Sequence, residues 1–248
     1  MDWTPLWLSA KLALLTTLLI PLAAAPLACL LAFRRFWGKS VLDALITMPM
    51  VLPPTVLGFG LLMVMSPSSP FGKAWEALFG APLPFSFSGL VLGSLVYSLP
   101  FGVLPMRAAF EKVDPGIVEA ARCSGMTHGQ AFRHVILPNA MGGVTASAAL
   151  IFAHTVGEFG VALMLGGSIP GKTRVASIAI FEHTESLEYG QAGLLSLALM
   201  IVSYAALLHI GRQSMPCSPS PRKAPAASCR DFQDTKRGFH ADHIHAVR

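Results

Sequence analysis

Gly166 to Thr173 reads Gly-Gly-Ser-Ile-Pro-Gly-Lys-Thr and satisfies the spacing of a nucleotide phosphate-binding loop. In such a loop backbone amides and the lysine cradle phosphates while the threonine hydroxyl meets magnesium. His154 and Glu158 stand four residues apart in Ala153-His-Thr-Val-Gly-Glu-Phe-Gly160, types suited to proton transfer or ligation. The ending His240-Ala-Asp-His-Ile-His245 holds metal-ligating types. Context separates the three. A working phosphate loop follows a buried strand, opens a helix and faces ATP, whereas this one follows an apolar helical stretch and contains Pro170. The histidine-rich ending lies in a segment with no fold to fix ligand geometry. Neither a catalytic residue nor a metal site is therefore expected. Glu158 lies in a long apolar stretch, where an ionisable group is a functional candidate by default. An ionised Glu158 would repel an anionic cargo by about 4 kcal/mol at 4 Å and an effective dielectric of 20. A structural or gating role is expected instead of direct ligation.

The elements that must position these residues are set by composition. The 248 residues are 53% hydrophobic and only 12% charged, so most of the chain belongs in a bilayer and is counted in spans of about 20 apolar residues. Five spans are predicted, over about 7–33, 45–66, 88–109, 139–164 and 190–211. An odd number puts the two ends on opposite faces. Arg34, Arg35 and Lys39 follow the first span, and Arg107, Lys112, Arg122 and Arg133 cluster around the loop after the third. Cytoplasmic loops are enriched in such residues, so the N-terminus is expected outside and the C-terminus in the cytoplasm. On that count the basic excess (+5) sorts by membrane side and calls for no nucleic acid. Counted along a straight helix from Pro138, Glu158 falls about 30 Å on, near the outer interface.

Two spans carry irregularities. Pro49, Pro53 and Pro54 in Met48-Pro-Met-Val-Leu-Pro-Pro-Thr-Val-Leu-Gly58 each remove a backbone donor, so the second span cannot be one continuous helix. A short surface helix over 40–48, with the membrane helix restarting at Pro53 or Pro54, is expected. Broken backbone at membrane depth is tolerated where protein or a water-filled cavity covers it, which makes Pro53, Pro54 and Thr55 candidate pathway or gate residues. A simple entry turn at the interface is the alternative. Residues 66–88 read as an external loop with an interfacial helical turn, and 175–188 as an amphipathic or re-entrant segment. Residues 213–248 read as a disordered cytoplasmic tail.

Between the third and fourth spans lies a polar, basic island, the loop 111–138. Asp114 and Pro115 supply an N-cap and a proline at the first helical position, and Gly125 a left-handed stop, giving a helix over roughly 115–124. Thr127 with Gln130 is a capping box opening a second helix that Pro138 closes. Its sequence resembles the Glu-Ala-Ala loop of ATP-binding-cassette (ABC) importer permeases. Glu119, Ala120, Ala121, Gly125, Leu137 and Pro138 match that pattern, with Val135 in the isoleucine place. A DNA-binding helix-turn-helix would also tolerate this alanine and glycine, but not the membrane context. Met48 to Gly58, and Gly157-Glu-Phe-Gly160 followed by Ser168-Ile-Pro-Gly-Lys-Thr-Arg174, look like the molybdate branch of these permeases, and the likeness covers about residues 5–212.

The resemblance implies an all-α integral membrane protein with the type I ABC importer permease fold. It implies a permease subunit, not itself an enzyme, of an ATP-driven importer for molybdate or tungstate in the bacterial cytoplasmic membrane. A sulfate, thiosulfate or other oxyanion permease is the nearest alternative, and an uncoupled channel or secondary transporter is the alternative of another class. The implied partners are a second copy of the chain, cytoplasmic ABC ATPase subunits, an external or periplasmic binding protein and membrane lipid. ATP and magnesium belong to the ATPase, and no cofactor is expected on this chain. Glu119, Ala120, Ala121, Gly125, Val135, Leu137 and Pro138 are the implied coupling residues; Ser168 joins Pro53, Pro54, Thr55 and Glu158 as pathway or gate candidates. The topology is testable with a membrane-impermeant amine reagent on intact cells. Lys172 is expected to react and Lys112 to react only after the membrane is opened; the reverse pattern would invert the orientation.

Overall fold

In the computed structural model, which describes residues 2–34 and 36–213, the described residues form helices and no strand. The helices are α1 Thr4–Phe33, α2 Lys39–Val51, α3 Pro54–Met65, α4 Pro70–Phe79, α5 Phe87–Glu111, α6 Pro115–Cys123 and α7 His128–Ala131. After a π-helical stretch, Phe132–Ile136, come α8 Leu137–Asn139, α9 Met141–Gly157, α10 Gly160–Gly166, α11 Ala176–Glu185 and α12 Tyr189–Gln213. Three helices are long and apolar enough to cross a membrane, namely α1, α5 and α12 over Tyr189–Leu208. Counting each bent pair as one span brings the number to five: α2 with α3, bent by 113°, and the helices of His128–Asn139 with α9, bent by 66°. The tail 213–248 and its histidines lie outside the described residues, save Gln213 at the end of α12.

The bundle is built on α5, which packs against α1 and α9. Small residues allow the helices to come close. A Cβ added to Gly143 of α9 would fall 2.1 Å from the Ala109 Cβ of α5 and 3.0 Å from the Pro105 carbonyl. Further along the seam Ser147 Oγ donates to the Gly102 carbonyl at 3.0 Å. Lipid offers no hydrophobic drive for helix association, so close packing and interhelical hydrogen bonds set the pairing. Beside the seam, Ile20, Ala24, Ala28 and Leu31 of α1 join Val103, Met106 and Phe110 of α5, Ile46 of α2 and Ile151 of α9 in one buried cluster.

The chain departs from the sequence reading in two spans. Pro49 is accommodated inside the last turn of α2, which runs to Val51, and the break falls at Leu52 and Pro53. The fourth span is not a continuous helix over 139–164. It bends near Ala140, ends at Gly157 and restarts at Gly160, so a straight-helix count misplaces Glu158. The physical reason is local: the Glu158 carbonyl, which would accept from the backbone four residues on, accepts instead from Ser177 Oγ at 2.6 Å.

In the 175–188 segment and the turn before it, Glu182 pairs with Arg174 at 2.7 Å and Glu188 with His183 at 2.8 Å. Gly143→Val is expected to cost about 1–3 kcal/mol by overpacking the seam. The check is the melting temperature of the detergent-solubilised protein, with Gly129→Val, whose added Cβ would meet nothing within 4 Å, as the control.

Candidate functional site

The loop 111–138 hangs from the end of α5. Asp114 caps α6 by accepting from the Gly116 amide at 2.9 Å, with Pro115 at the first helical position. Gly125 takes φ +89, a left-handed conformation that glycine adopts without steric cost, and the Met126 amide closes the turn on the Ala121 carbonyl at 3.2 Å. Thr127 and Gln130 then form a reciprocal capping box, at 2.9 Å and 3.4 Å. The Phe132 ring lies 5.9 Å from Phe110 of α5, and Ile136 is buried in the bundle cluster. The helical run from His128 does not end at Pro138 but passes through it to Asn139, widened to π-helical turns by the Leu137 amide bonding Phe132 five residues back.

This mounting leaves one face free. Glu119, Ala120 and Gly125 are exposed, as are Arg122, His128, Arg133, His134 and Pro138. Ala121 is buried, while Val135 and Leu137 are half-buried. Ser124, Gly125, Met126, Gln130 and His134 line a shallow depression of about 350 Å³ between the two short helices. No neighbouring atom lies within 4 Å of a Cβ built on Gly125. The loop is a capped, two-helix knob fixed at its base and open at its tip.

Deeper in the bundle the two irregular spans meet. A Cβ on Gly160, at the start of α10, would fall 2.7 Å from the Pro54 Cβ, and one on Gly58 would fall 2.8 Å from the Met164 Cβ. The half-helices α3 and α10 therefore pack backbone to backbone. Pro53, Pro54, Thr55 and Gly157 are exposed at this junction, but Glu158 is 5% exposed and faces inward. Its Oε2 accepts from Ser94 Oγ of α5 at 2.9 Å, and its Oε1 has no hydrogen-bond partner among the described residues. One turn away Ser98 of α5 meets His154 Nδ1 at 2.9 Å and Thr155 at 3.3 Å, and Thr155 meets Thr16 of α1 at 3.2 Å. The His154 ring is held against Tyr97 and Phe101, with centroids 4.6 and 4.1 Å away.

The structure thus brings Pro53, Pro54, Thr55 and Glu158 to one junction and leaves Ser168 in the separate turn after α10. There Thr173, fully buried, donates to the Gly166 carbonyl at 2.6 Å and accepts from the Ile169 amide at 3.2 Å. The hydroxyl that a phosphate loop offers to magnesium is spent on closing this turn, and the preceding element is a helix. Sequence reasoning missed Ser94, Ser98, Thr155, Thr16 and Ser177. Their signal was available: Ser94 and Ser98 repeat at helical spacing, matching His154 and Glu158 on the opposing helix.

Residues 24–215 match the family model described as the binding-protein-dependent transport system inner membrane component. The chain belongs to this family. The molybdenum transport system permease protein ModB of Azotobacter vinelandii is 43% identical to it over 206 residues, 83% of this chain and 91% of that one. The sulfate transport system permease protein CysT of Escherichia coli strain K12 is 32% identical over 184 residues, 74% of this chain and 66% of that one. A bacterial alginate ABC transporter, solved in complex with an alginate pentasaccharide-bound periplasmic protein, superposes with a TM-score of 0.69 at 16% identity, over 86% of this chain and 78% of that one. That likeness is one of fold. Family and fold together make this a multi-pass membrane protein with the ABC importer permease architecture, in which α1, α5, α12 and, counted as one each, the two bent pairs are the candidate spans.

Proposed function

We propose that this chain is the permease subunit of an ATP-driven importer that moves molybdate, and tungstate by the same chemistry, inward across the bacterial cytoplasmic membrane. The observation that carries the cargo is the 43% identity to ModB over nearly its whole length, against 32% to a sulfate permease over a shorter stretch. Sulfate is the second reading, favoured by that 32% relative. Two copies of the chain form the membrane path, an external binding protein delivers the oxyanion, and two ABC ATPase subunits dock on the cytoplasmic side and hold the ATP and magnesium. The N-terminus lies outside and the C-terminus inside, an orientation supported by the arginines and lysines around the 111–138 loop.

The loop transmits the work. Glu119, Ala120 and Gly125 offer a surface with little side-chain bulk to a cleft on the ATPase, with Ala121, Val135, Leu137 and Pro138 completing the coupling loop, while Phe132 and Ile136 fix the knob to the bundle. Closure of the ATPase pair moves the two short helices, and Phe110 with Phe132 passes that motion to α5. The spans then alternate between inward-facing and outward-facing states. Pro53, Pro54 and Thr55 lie exposed on the broken second span, where uncovered backbone is acceptable only beside protein or a watery path. Ser168, in the tight turn after α10, serves the outer rim of that path.

Energised uptake of radiolabelled molybdate into cells carrying this chain with its ATPase and binding protein tests the reading, with sulfate and tungstate as competitors. Uptake should depend on ATP and be displaced by tungstate. Gly125→Asp places a side chain at φ +89 on the docking surface, and losing about 1.4 kcal/mol of docking already means tenfold weaker coupling. Uptake is expected to fall by about that factor or more with the complex still assembled. Sulfate accumulation would change the cargo, and flux that survives ATP depletion would contradict coupling.

A further inference from the structure

Glu158 occupies a position that a transport path does not explain. Its carboxylate is buried, not exposed at the junction of the breaks, and it touches α5 through Ser94. Its own carbonyl is held by Ser177 of α11, at 2.6 Å. The residue has φ −69 and ψ 128, extended backbone between two helices. α5 and α11 therefore converge on one residue at the point where the fourth span breaks. Placing a carboxylate in a membrane bundle is costly, and leaving Oε1 without a partner among the described residues adds to the cost.

The consequence concerns α3 and α10. Next to the break, Gly160 abuts Pro54, and Gly58 abuts Met164 and Val161, so the two half-helices form one packed body. The other half of the second span, α2, belongs elsewhere: its Asp43 takes two hydrogen bonds from Arg107 of α5, both 2.7 Å, and its Ile46 lies in the cluster with α1 and α5. The second span is thus divided at Leu52 and Pro53 and the fourth at Glu158 and Phe159, and α10 lies between α3 on one side and α5 on the other, where Leu165 packs against Gly93 and Leu90 against Gly166. The residues just past the two dividing points, Pro54 and Gly160, abut each other.

We propose that Glu158 is a positioning residue of the transport cycle, pinning the α9–α10 break to α5 and α11 so that α3 and α10 move as one gate body. It rests on the permease reading above and assigns Glu158 no contact with the cargo. What matters is an acceptor oxygen of the right reach for Ser94 Oγ, which glutamine also supplies.

The test uses the full complex of permease, ATPase and binding protein, reconstituted in vesicles. Two readouts are taken: molybdate uptake, and the reaction rate of a charged thiol reagent with Thr55→Cys in a chain whose own cysteines are replaced, with and without ATP. Glu158→Gln should keep uptake within about twofold of the parent and keep the nucleotide-dependent change at Thr55→Cys. Glu158→Ala should assemble, lose uptake about tenfold or more and lose that change; Ser94→Ala should fall between the two. An assembled Glu158→Ala complex with parent uptake, or one that retains the switch at Thr55→Cys, overturns the proposal. So does a Glu158→Gln complex that fails like alanine while Thr55→Cys still switches, because the carboxylate would then be acting on the cargo. The thiol readout needs ATP but no cargo. A parent complex that switches Thr55→Cys yet accumulates no molybdate refutes the cargo alone, and the loss of switching in Glu158→Ala still decides the positioning role.

Discussion

The antiparallel seam between α5 and α9 is the constraint on which the rest of the structure depends. In lipid the two helices gain nothing from hiding apolar side chains, so their pairing rests on close approach and on hydrogen bonds worth about 0.6 kcal/mol each on average. Gly143 against Ala109 and Pro105, Ser147 against Gly102, His154 and Thr155 against Ser98, and Glu158 against Ser94 form successive contacts along it. No single contact is strong. Their spacing nevertheless admits one register, because a shift of one residue turns each polar group away from its partner. The first helix joins the same ladder at Thr16, and the loop 111–138 is mounted at its end through Phe110.

A permease needs part of itself to stay rigid and part to move, and the seam divides the chain in that way. α1, α2, α5 and α9 share one buried cluster with Ile136 at the base of the loop, and Val118 and Phe132 of the loop pack against it. The Asp43 and Arg107 pair helps to orient α2 but is half-exposed, and its worth is about 1 kcal/mol or less. α3 and α10 meet each other more intimately than either meets its own preceding half-helix. Proline removes the backbone donors at the first break; Ser177 takes the Glu158 backbone acceptor at the second. Two different chemical devices yield adjacent breaks.

Much of this was legible in the residues themselves. Hydrophobic stretches located α1, α5 and α12 to within a few residues, because burial in lipid demands length and apolarity and little else, whereas the two bent pairs, Lys39–Met65 and His128–Gly157, are offset from the expected 45–66 and 139–164. Asp114, Pro115, Gly125, Thr127 and Gln130 dictated the local shape of the loop, since caps and a left-handed glycine act over three or four residues. The break at Pro53 was visible for the same reason. What escaped was the break at Glu158: no proline marks it, and the serine whose hydroxyl takes its backbone acceptor is 19 residues away in the chain. The inward orientation of Glu158 was equally hidden, because periodicity within one helix does not reveal which neighbour it faces. The apparent phosphate loop misled by spacing alone, and Thr173 shows why, being consumed by the turn it closes.

The central claim is that ATP moves the α3–α10 body while the α5–α9 seam stays fixed. Distances between spin labels in the assembled complex, compared with and without ATP, test it most directly. One label pair joins α5 to α9 at Val96 and Leu150, and the other joins α3 to α9 at Met63 and Leu150, all exposed positions. The seam pair should keep one distance in both states while the Met63 pair shifts. A seam pair that changes with ATP, or a Met63 pair that does not, would contradict the account.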